Sequence, residues 1–182
     1  MKSHLKINEN LRLEQPDLKY AADLFELVND NREYLEKWLP WVSGTKRVED
    51  SQVFLKNAIR FSKGGQQLHT LIIYENELVG LVGFNTIRKA HQKAEIGYWI
   101  AKSMQGKGIV TKSVHRLIHY GFHQMNLNRV IIRVNIENIA SQKVAKRLNF
   151  TYEGRLRASL KLNNQFVDMQ IYGLLKKEFG EL

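Results

Sequence analysis

Residues 94–125 read AEIGYWIAKSMQGKGIVTKSVHRLIHYGFHQM, and three kinds of segment follow one another within them. Ala94–Ile100 is rich in β-branched and aromatic residues, as a strand requires. Gln105-Gly106-Lys107-Gly108 strips side chains from a bend. Ile109–Met125 then places Val110, Val114, Leu117, Ile118, Gly121, Phe122 and Met125 on one helical face. A helix that starts straight out of a two-glycine bend aims its unpaired N–H groups and positive dipole end into a concave turn. Such a turn suits a phosphate or pyrophosphate. It is not a Walker A loop, which needs Gly-Lys-Ser/Thr after four intervening residues, nor a dinucleotide fingerprint, because the third glycine is missing. Glycines also punctuate ordinary turns, so the flanking sequence has to settle the matter.

Upstream, Asn10–Glu14 alternates as a short strand, and Pro16-Asp17 opens a helix on Leu18, Ala21, Ala22, Leu24, Phe25 and Val28. A second helix is expected over Arg32–Trp38, ended by Pro40, and a third from Val48-Glu49-Asp50 to Lys63-Gly64-Gly65. Leu68–Tyr74 and Leu78–Ile87 are β-rich runs joined by Glu75-Asn76-Glu77, which is hairpin chemistry. Downstream come a strand at Arg129–Val134, a helix at about Ala140–Leu148, and strands at Thr151–Leu156 and Phe166–Leu175 that turn at Leu162–Gln165. The order is β-α-α-α-β-β-β-α-β-α-β-β. With no linker, repeat or low-complexity tract, this predicts one mixed α/β domain over residues 1–182.

Composition removes several function classes. The 182 residues include no Cys, which excludes a disulfide framework, a Cys-ligated metal and a thiol nucleophile. No apolar run reaches the ~18 residues of a membrane span, and MKSHLKINEN lacks a signal peptide's apolar centre, so a cytoplasmic, membrane-free protein is expected. The net charge is +10, and residues 101–182 hold 14 Lys/Arg against 5 Asp/Glu. A surface there that meets an anion is one explanation and a solubility bias is another. A phosphorylated cofactor and nucleic acid are the two candidate anions.

Three further stretches point to the cofactor. Glu95-Ile96-Gly97-Tyr98-Trp99-Ile100, Gln105–Val110, and Asn135-Ile136-Glu137-Asn138-Ile139-Ala140-Ser141 through Leu148-Asn149-Phe150 together resemble the GNAT superfamily of N-acetyltransferases. Asn31–Leu35 and Trp38-Leu39-Pro40-Trp41 narrow the resemblance to its ribosomal-protein N-terminal (RimL/RimJ-type) branch. It spans about Leu11 to Leu175. It implies a central mixed, mostly antiparallel twisted sheet with one splayed strand pair and helices on both faces, and it implies acetyl-CoA as co-substrate with no metal. Unpaired backbone around Trp99, Ile100 and Ala101 would hold the pantetheine arm. Gln105, Gly106, Lys107, Gly108, Ile109 and Val110 would receive the pyrophosphate; the family's loop ends on Gly or Ala where this chain has Val110. Asn138 would bond the pantetheine end, Ser141 would meet the departing thiolate, and Lys143 and Arg147 would lie near the 3′-phosphate.

The reaction is direct attack of a neutral amine on the thioester. An α-amino group titrates at about 7.7–8.0 and a Lys side chain at about 10.4, so an N-terminal acceptor needs only weak base assistance. Glu95 is the first candidate base and Glu153 the second, with a surface ion pair the competing role of each. A helix N-cap is the competing role of Ser141. Carbonyl polarisation is assigned to a backbone N–H. His115, His119 and His123 have metal spacing but no carboxylate in register, so they are expected on a solvated flank. Trp38–Trp41 either lines the acceptor groove or is core beneath a loop, and the usual burial of large aromatics favours core, while Asn31 and Arg32 are weighed for the acceptor side. The expected acceptor is the α-amino group of a protein, a ribosomal protein in particular. The alternatives are a small amine, with Asp23, Glu26, Glu33 and Glu36 as possible polycation ligands, and a non-catalytic nucleic-acid module, for which no motif is present. Exposed terminal strands suggest a homodimer.

Overall fold

The structure, a computed structural model, describes residues 4–180. Eight strands form one sheet: β1 (His4–Lys6), β2 (Leu11–Glu14), β3 (Leu68–Tyr74), β4 (Glu77–Arg88), β5 (Lys93–Ile100), β6 (Arg129–Asn135), β7 (Thr151–Leu162) and β8 (Gln165–Leu175). Their spatial order is β1-β2-β3-β4-β5-β6-β8-β7, and every neighbouring pair is antiparallel except β5–β6. Five α-helices accompany them: α1 (Ala21–Asp30), α2 (Arg32–Leu35), α3 (Val48–Lys63), α4 (Ile109–Gln124) and α5 (Ile139–Arg147).

Both faces of the sheet are covered. On one, α4 seats Val114, Leu117, Ile118 and Phe122 against Phe84, Ile96, Ile132 and Leu174. On the other, Leu24 and Val28 of α1, Leu35 of α2 and Leu55 of α3 pack on Leu71, Ile73, Leu81 and Trp99. Two-residue turns close the hairpins, Glu75-Asn76 between β3 and β4 and Asn163-Asn164 between β7 and β8. All four residues have positive φ, the conformation that matches strand twist in such turns.

Several expected boundaries move. The first helix starts as a 3-10 turn at Leu18–Tyr20, where the Asp17 carboxylate accepts from the Lys19 N–H, before α1 proper. The second helix stops at Leu35 rather than Trp38. β1 was not expected at all. β7 runs to Leu162 instead of Leu156, with its register broken between Leu156 and Leu160 and Ala158 at φ 48°.

The parallel pair β5–β6 is the feature that makes a site. Its pairing comprises only Lys93–Arg129, Ala94–Val130 and Glu95–Ile131. Beyond Glu95, β5 stays on β4 while β6 stays on β8, so the sheet opens into a cleft. Opposite this point β4 carries a bulge between Phe84 and Thr86. A bulge adds bend and twist, and Gly97 leaves room for the Asn85 side chain, whose Nδ2 lies 2.4 Å from where a Cβ would be.

Candidate active site

The cleft continues into a cavity of about 1270 Å³ that crosses the sheet. One half lies between β5, the glycine bend and α4 on one side, and β6 and α5 on the other. At the bend Gly106 has φ 76° and Gly108 φ 74°, left-handed values that favour glycine. A Cβ at either position would meet nothing within 4 Å, so the bend borders open space. Gly108 caps α4, and the Lys112 N–H returns to the Gly108 carbonyl (3.1 Å), which leaves the N–H groups of Ile109, Val110 and Thr111 free of intrahelical partners. The site therefore offers a row of backbone donors and a helix dipole to an anion. Lys112, Lys143 and Arg147 also line it.

Not every expected ligand faces this space. Lys107 turns away: its ammonium lies 3.4 Å from Met104 Sδ and 5.9 Å from the Tyr74 ring. Ala101 is likewise committed, its N–H bonding the Val79 carbonyl at 2.8 Å. Strand backbone alternates direction, so Trp99 shares that side, while Tyr98 and Ile100 present N–H and C=O to the gap. Of the three backbone positions assigned to the pantetheine arm, only Ile100 is open to it. Gln105 lines the cavity, yet its amide reaches the Tyr34 hydroxyl.

Asn138, not Ser141, is the N-cap of α5; its Oδ1 accepts from the Ser141 N–H at 3.0 Å. The Ser141 hydroxyl is thereby left for other partners, and it meets the Tyr98 hydroxyl at 2.9 Å across the cleft. Burial pushes the Tyr98 phenol up to about 12, only partly offset by this hydrogen bond.

Glu95 lines the cavity at the fork of the sheet and is ion-paired with Arg133 at 2.7 Å. Glu153 pairs with Arg129 and lies away from the cavity-lining residues. Both carboxylates thus hold ion pairs, and only Glu95 reaches the site.

The other half of the cavity is aromatic. Trp38–Trp41 is not buried core: all four residues line the space, Leu39 also packing on the core beneath, and Trp41 is 43% exposed with its ring centroid 6.0 Å from that of Trp99. The reason is local. Arg32 donates to the carbonyls of Val42 (2.9 Å) and Thr45 (2.5 Å), holding the segment as a rim over the opening. Asn31 accepts from the Lys102 N–H at 2.8 Å, so both residues weighed for acceptor contact tether backbone instead. Asp23, Glu26, Glu33 and Glu36 lie outside the cavity, whose lining carboxylates are Asp50 and Glu95. Asp50 is occupied by the N–H groups of Lys46 and Arg47 at the start of α3.

His115, His119 and His123 sit on the outer flank of α4, where His115 stacks on Phe179 at 4.7 Å. Among the described residues no group of three or more His, Cys, Asp or Glu is placed to hold a metal ion, and no helix is long and apolar enough to cross a membrane.

Comparison with known proteins agrees with this geometry. The family model described as acetyltransferase (GNAT) domain matches residues 10–151. The ribosomal-protein-serine acetyltransferase of Escherichia coli (strain K12) is 30% identical over 172 residues, 94% of this chain and 96% of that protein. The microcin C7 self-immunity acetyltransferase MccE, solved with acetyl-CoA and AMP, superposes with a TM-score of 0.92 at 34% identity, covering 96% of this chain and 97% of that one. RimL, the ribosomal L7/L12 alpha-N-protein acetyltransferase, solved with coenzyme A, also gives 0.92, at 28% identity, covering 94% and 97%.

Proposed function

The chain belongs to the GNAT acetyltransferases, which use acetyl-CoA and need no metal, and on that premise we propose that it acetylates the α-amino group of a protein, a ribosomal protein in particular. One observation carries the reading: the cleft that opens beyond Glu95 puts free strand backbone, the Gly106–Gly108 donors and the Ser141 hydroxyl along one continuous cavity. Its dimensions and donors suit a long polyanion with a thioester at one end.

In this reading a neutral amine enters from the Trp41 side and attacks the thioester carbonyl. A backbone N–H of β5 facing the gap polarises that carbonyl. Glu95, next to the reacting centre and steered by Arg133, takes the amine's proton through water. The Ser141 hydroxyl meets the developing thiolate, with Asn138 fixing the backbone that carries it. Lys143 and Arg147 serve the 3′-phosphate. The same proposal takes residues 1–182 as one acetyltransferase domain working in the cytoplasm, and as a homodimer through its exposed C-terminal strands, where Tyr152, Leu156 and Phe166 are uncovered.

The E. coli relative's name supports a ribosomal acceptor. A polyamine is disfavoured because a polycation needs several free carboxylates, and both that line the cavity are engaged. A second reading draws on the Trp41–Trp99 pair and on the AMP present in the MccE structure: an amine attached to a nucleotide, its base against the tryptophans. The test is thioester cleavage with labelled acetyl-CoA against ribosomal N-terminal peptides, polyamines and an amine tethered to AMP. Turnover confined to the peptides supports the proposal. Turnover confined to either other class defeats it.

A further inference from the structure

We propose that Tyr98 is a positioning residue for Ser141: its phenolic hydrogen engages the Ser141 oxygens and so turns the Ser141 O–H toward the sulfur of the thioester. The inference rests on the proposed role of Ser141 at the departing thiolate.

Tyr98 comes from β5 and Ser141 from the first turn of α5, 43 residues apart, so their contact joins the two walls of the cleft. The phenol oxygen lies 2.9 Å from Ser141 Oγ and 3.3 Å from the Ser141 carbonyl oxygen. A phenol has one hydrogen to give. Either hydroxyl of the 2.9 Å pair can donate to the other; in the proposed arrangement the phenol is the donor, its hydrogen directed at Ser141 Oγ with the carbonyl oxygen beside it, which makes both Ser141 oxygens acceptors. The Ser141 hydroxyl hydrogen must then point elsewhere, and Ser141 lines the cavity. Its N–H is already held by Asn138 at 3.0 Å, so backbone and hydroxyl are both fixed. Burial keeps Tyr98 protonated throughout the neutral range, which preserves its donor role.

In the transfer the amine nitrogen bonds to the carbonyl carbon and the C–S bond breaks, leaving its electron pair on sulfur. The proton shed by nitrogen goes through water to Glu95, and the sulfur leaves as a thiolate that takes its proton from solvent. Ser141 contributes the hydrogen bond that stabilises the sulfur as charge develops, and the phenolic proton stays on Tyr98. Without Tyr98 the serine hydroxyl rotates among its staggered positions, and the aimed bond is made only part of the time.

The experiment is Tyr98→Phe, alone and combined with Ser141→Ala, with kcat measured on the best acceptor peptide and CoA affinity measured by calorimetry. We expect kcat to fall about five- to tenfold with CoA affinity held within about twofold, the effect of one lost hydrogen bond. In the Ser141→Ala background the same change should have no further effect on kcat. An unchanged kcat in Tyr98→Phe overturns the proposal. So does an equal fall in both backgrounds, or a loss of CoA affinity as large as the loss of rate, which would make Tyr98 a brace for the cleft. If Ser141→Ala leaves kcat intact, the proposal fails while acetylation of peptides by the native enzyme still stands.

Discussion

At the residue scale, the positions that carry the candidate chemistry divide by how far their partners lie along the chain. Asn138 and Ser141 came forward only through the family resemblance; local spacing offered Ser141 as the N-cap, whereas Asn138 caps α5 and leaves the Ser141 hydroxyl free for the cleft. Tyr98 and Arg133 were missed, since each acquires its role only when the fold brings a distant strand or helix beside it. Ser141→Ala should lower kcat on the order of 10²-fold, the cost of removing one preorganised hydrogen-bond donor from developing charge, with CoA affinity nearly intact. Steady-state kinetics with calorimetry would check it, and lost affinity would reassign the residue to holding α5. His69 gives a separate prediction. Its ring packs on Phe54 at 5.6 Å, and burial pushes it down to about 4 from 6.5. Between those pH values the unfolded chain binds a proton that the folded protein refuses, so stability is complete above about pH 6.5 and is lost as the pH falls toward 4. At about 1.4 kcal/mol per pH unit the full shift is about 3.5 kcal/mol, of which roughly 2–3 kcal/mol falls between about pH 7.5 and about pH 4.5. Urea unfolding at about pH 7.5 and about pH 4.5 should show His69→Gln losing less stability than the native protein by roughly 2–3 kcal/mol.

At the element scale, amphipathic segments announced themselves and exposed ones did not. α4 was read nearly to the residue because its apolar face is continuous and buried along most of its length, with only Val110 and Met125 at its ends partly exposed. β7 runs on past Leu156, where Leu156, Ala158, Leu160 and Leu162 alternate with polar residues; this edge strand is exposed along nearly its whole length, and its register breaks between Leu156 and Leu160 around the positive-φ Ala158. Trp38–Trp41 takes the groove-lining role and not the favoured core role, because composition says that tryptophans are buried but not whether protein or ligand covers them. Two glycines on α4 and its bend test the reading of that element in opposite ways. At Gly121 a Cβ would meet Phe84 Cζ at 2.8 Å and Leu127 Cδ1 at 3.0 Å, so Gly121→Ala should cost about 1–3 kcal/mol by overpacking, read from urea unfolding. At Gly108 a Cβ meets no protein atom, and Gly108→Ala should cost only about 1 kcal/mol of left-handed backbone strain. If that open space receives the pyrophosphate, the same substitution should weaken CoA binding by about tenfold in calorimetry. Unchanged affinity would place the phosphates elsewhere.

At the scale of the whole molecule, the uneven charge and the split sheet belong to one design. The N-terminal half builds the aromatic opening from helices that carry nearly balanced charge, and the C-terminal half, with 14 Lys/Arg against 5 Asp/Glu, builds β6, α5 and the far wall of the cleft. The arithmetic alone could not separate a polyanionic cofactor from nucleic acid or simple solubility. The fold narrows the choice by seating Lys112, Lys143 and Arg147 on the cavity itself rather than on a flat outer surface. Attraction through these charges is screened as the Debye length shrinks from about 10 Å at 0.1 M salt to about 3 Å at 1 M. CoA affinity should therefore weaken about fivefold or more over that range, while hydrogen bonds from the Gly108–Thr111 backbone, made at contact, persist. Replacing both Lys143 and Arg147 with Gln should remove most of that salt dependence and leave the KM of the acceptor peptide unchanged, because neither residue lies on the tryptophan side. A double variant as salt-sensitive as the native enzyme would mean that the excess charge acts at long range, or on another partner, and not through the α5 wall of the cleft.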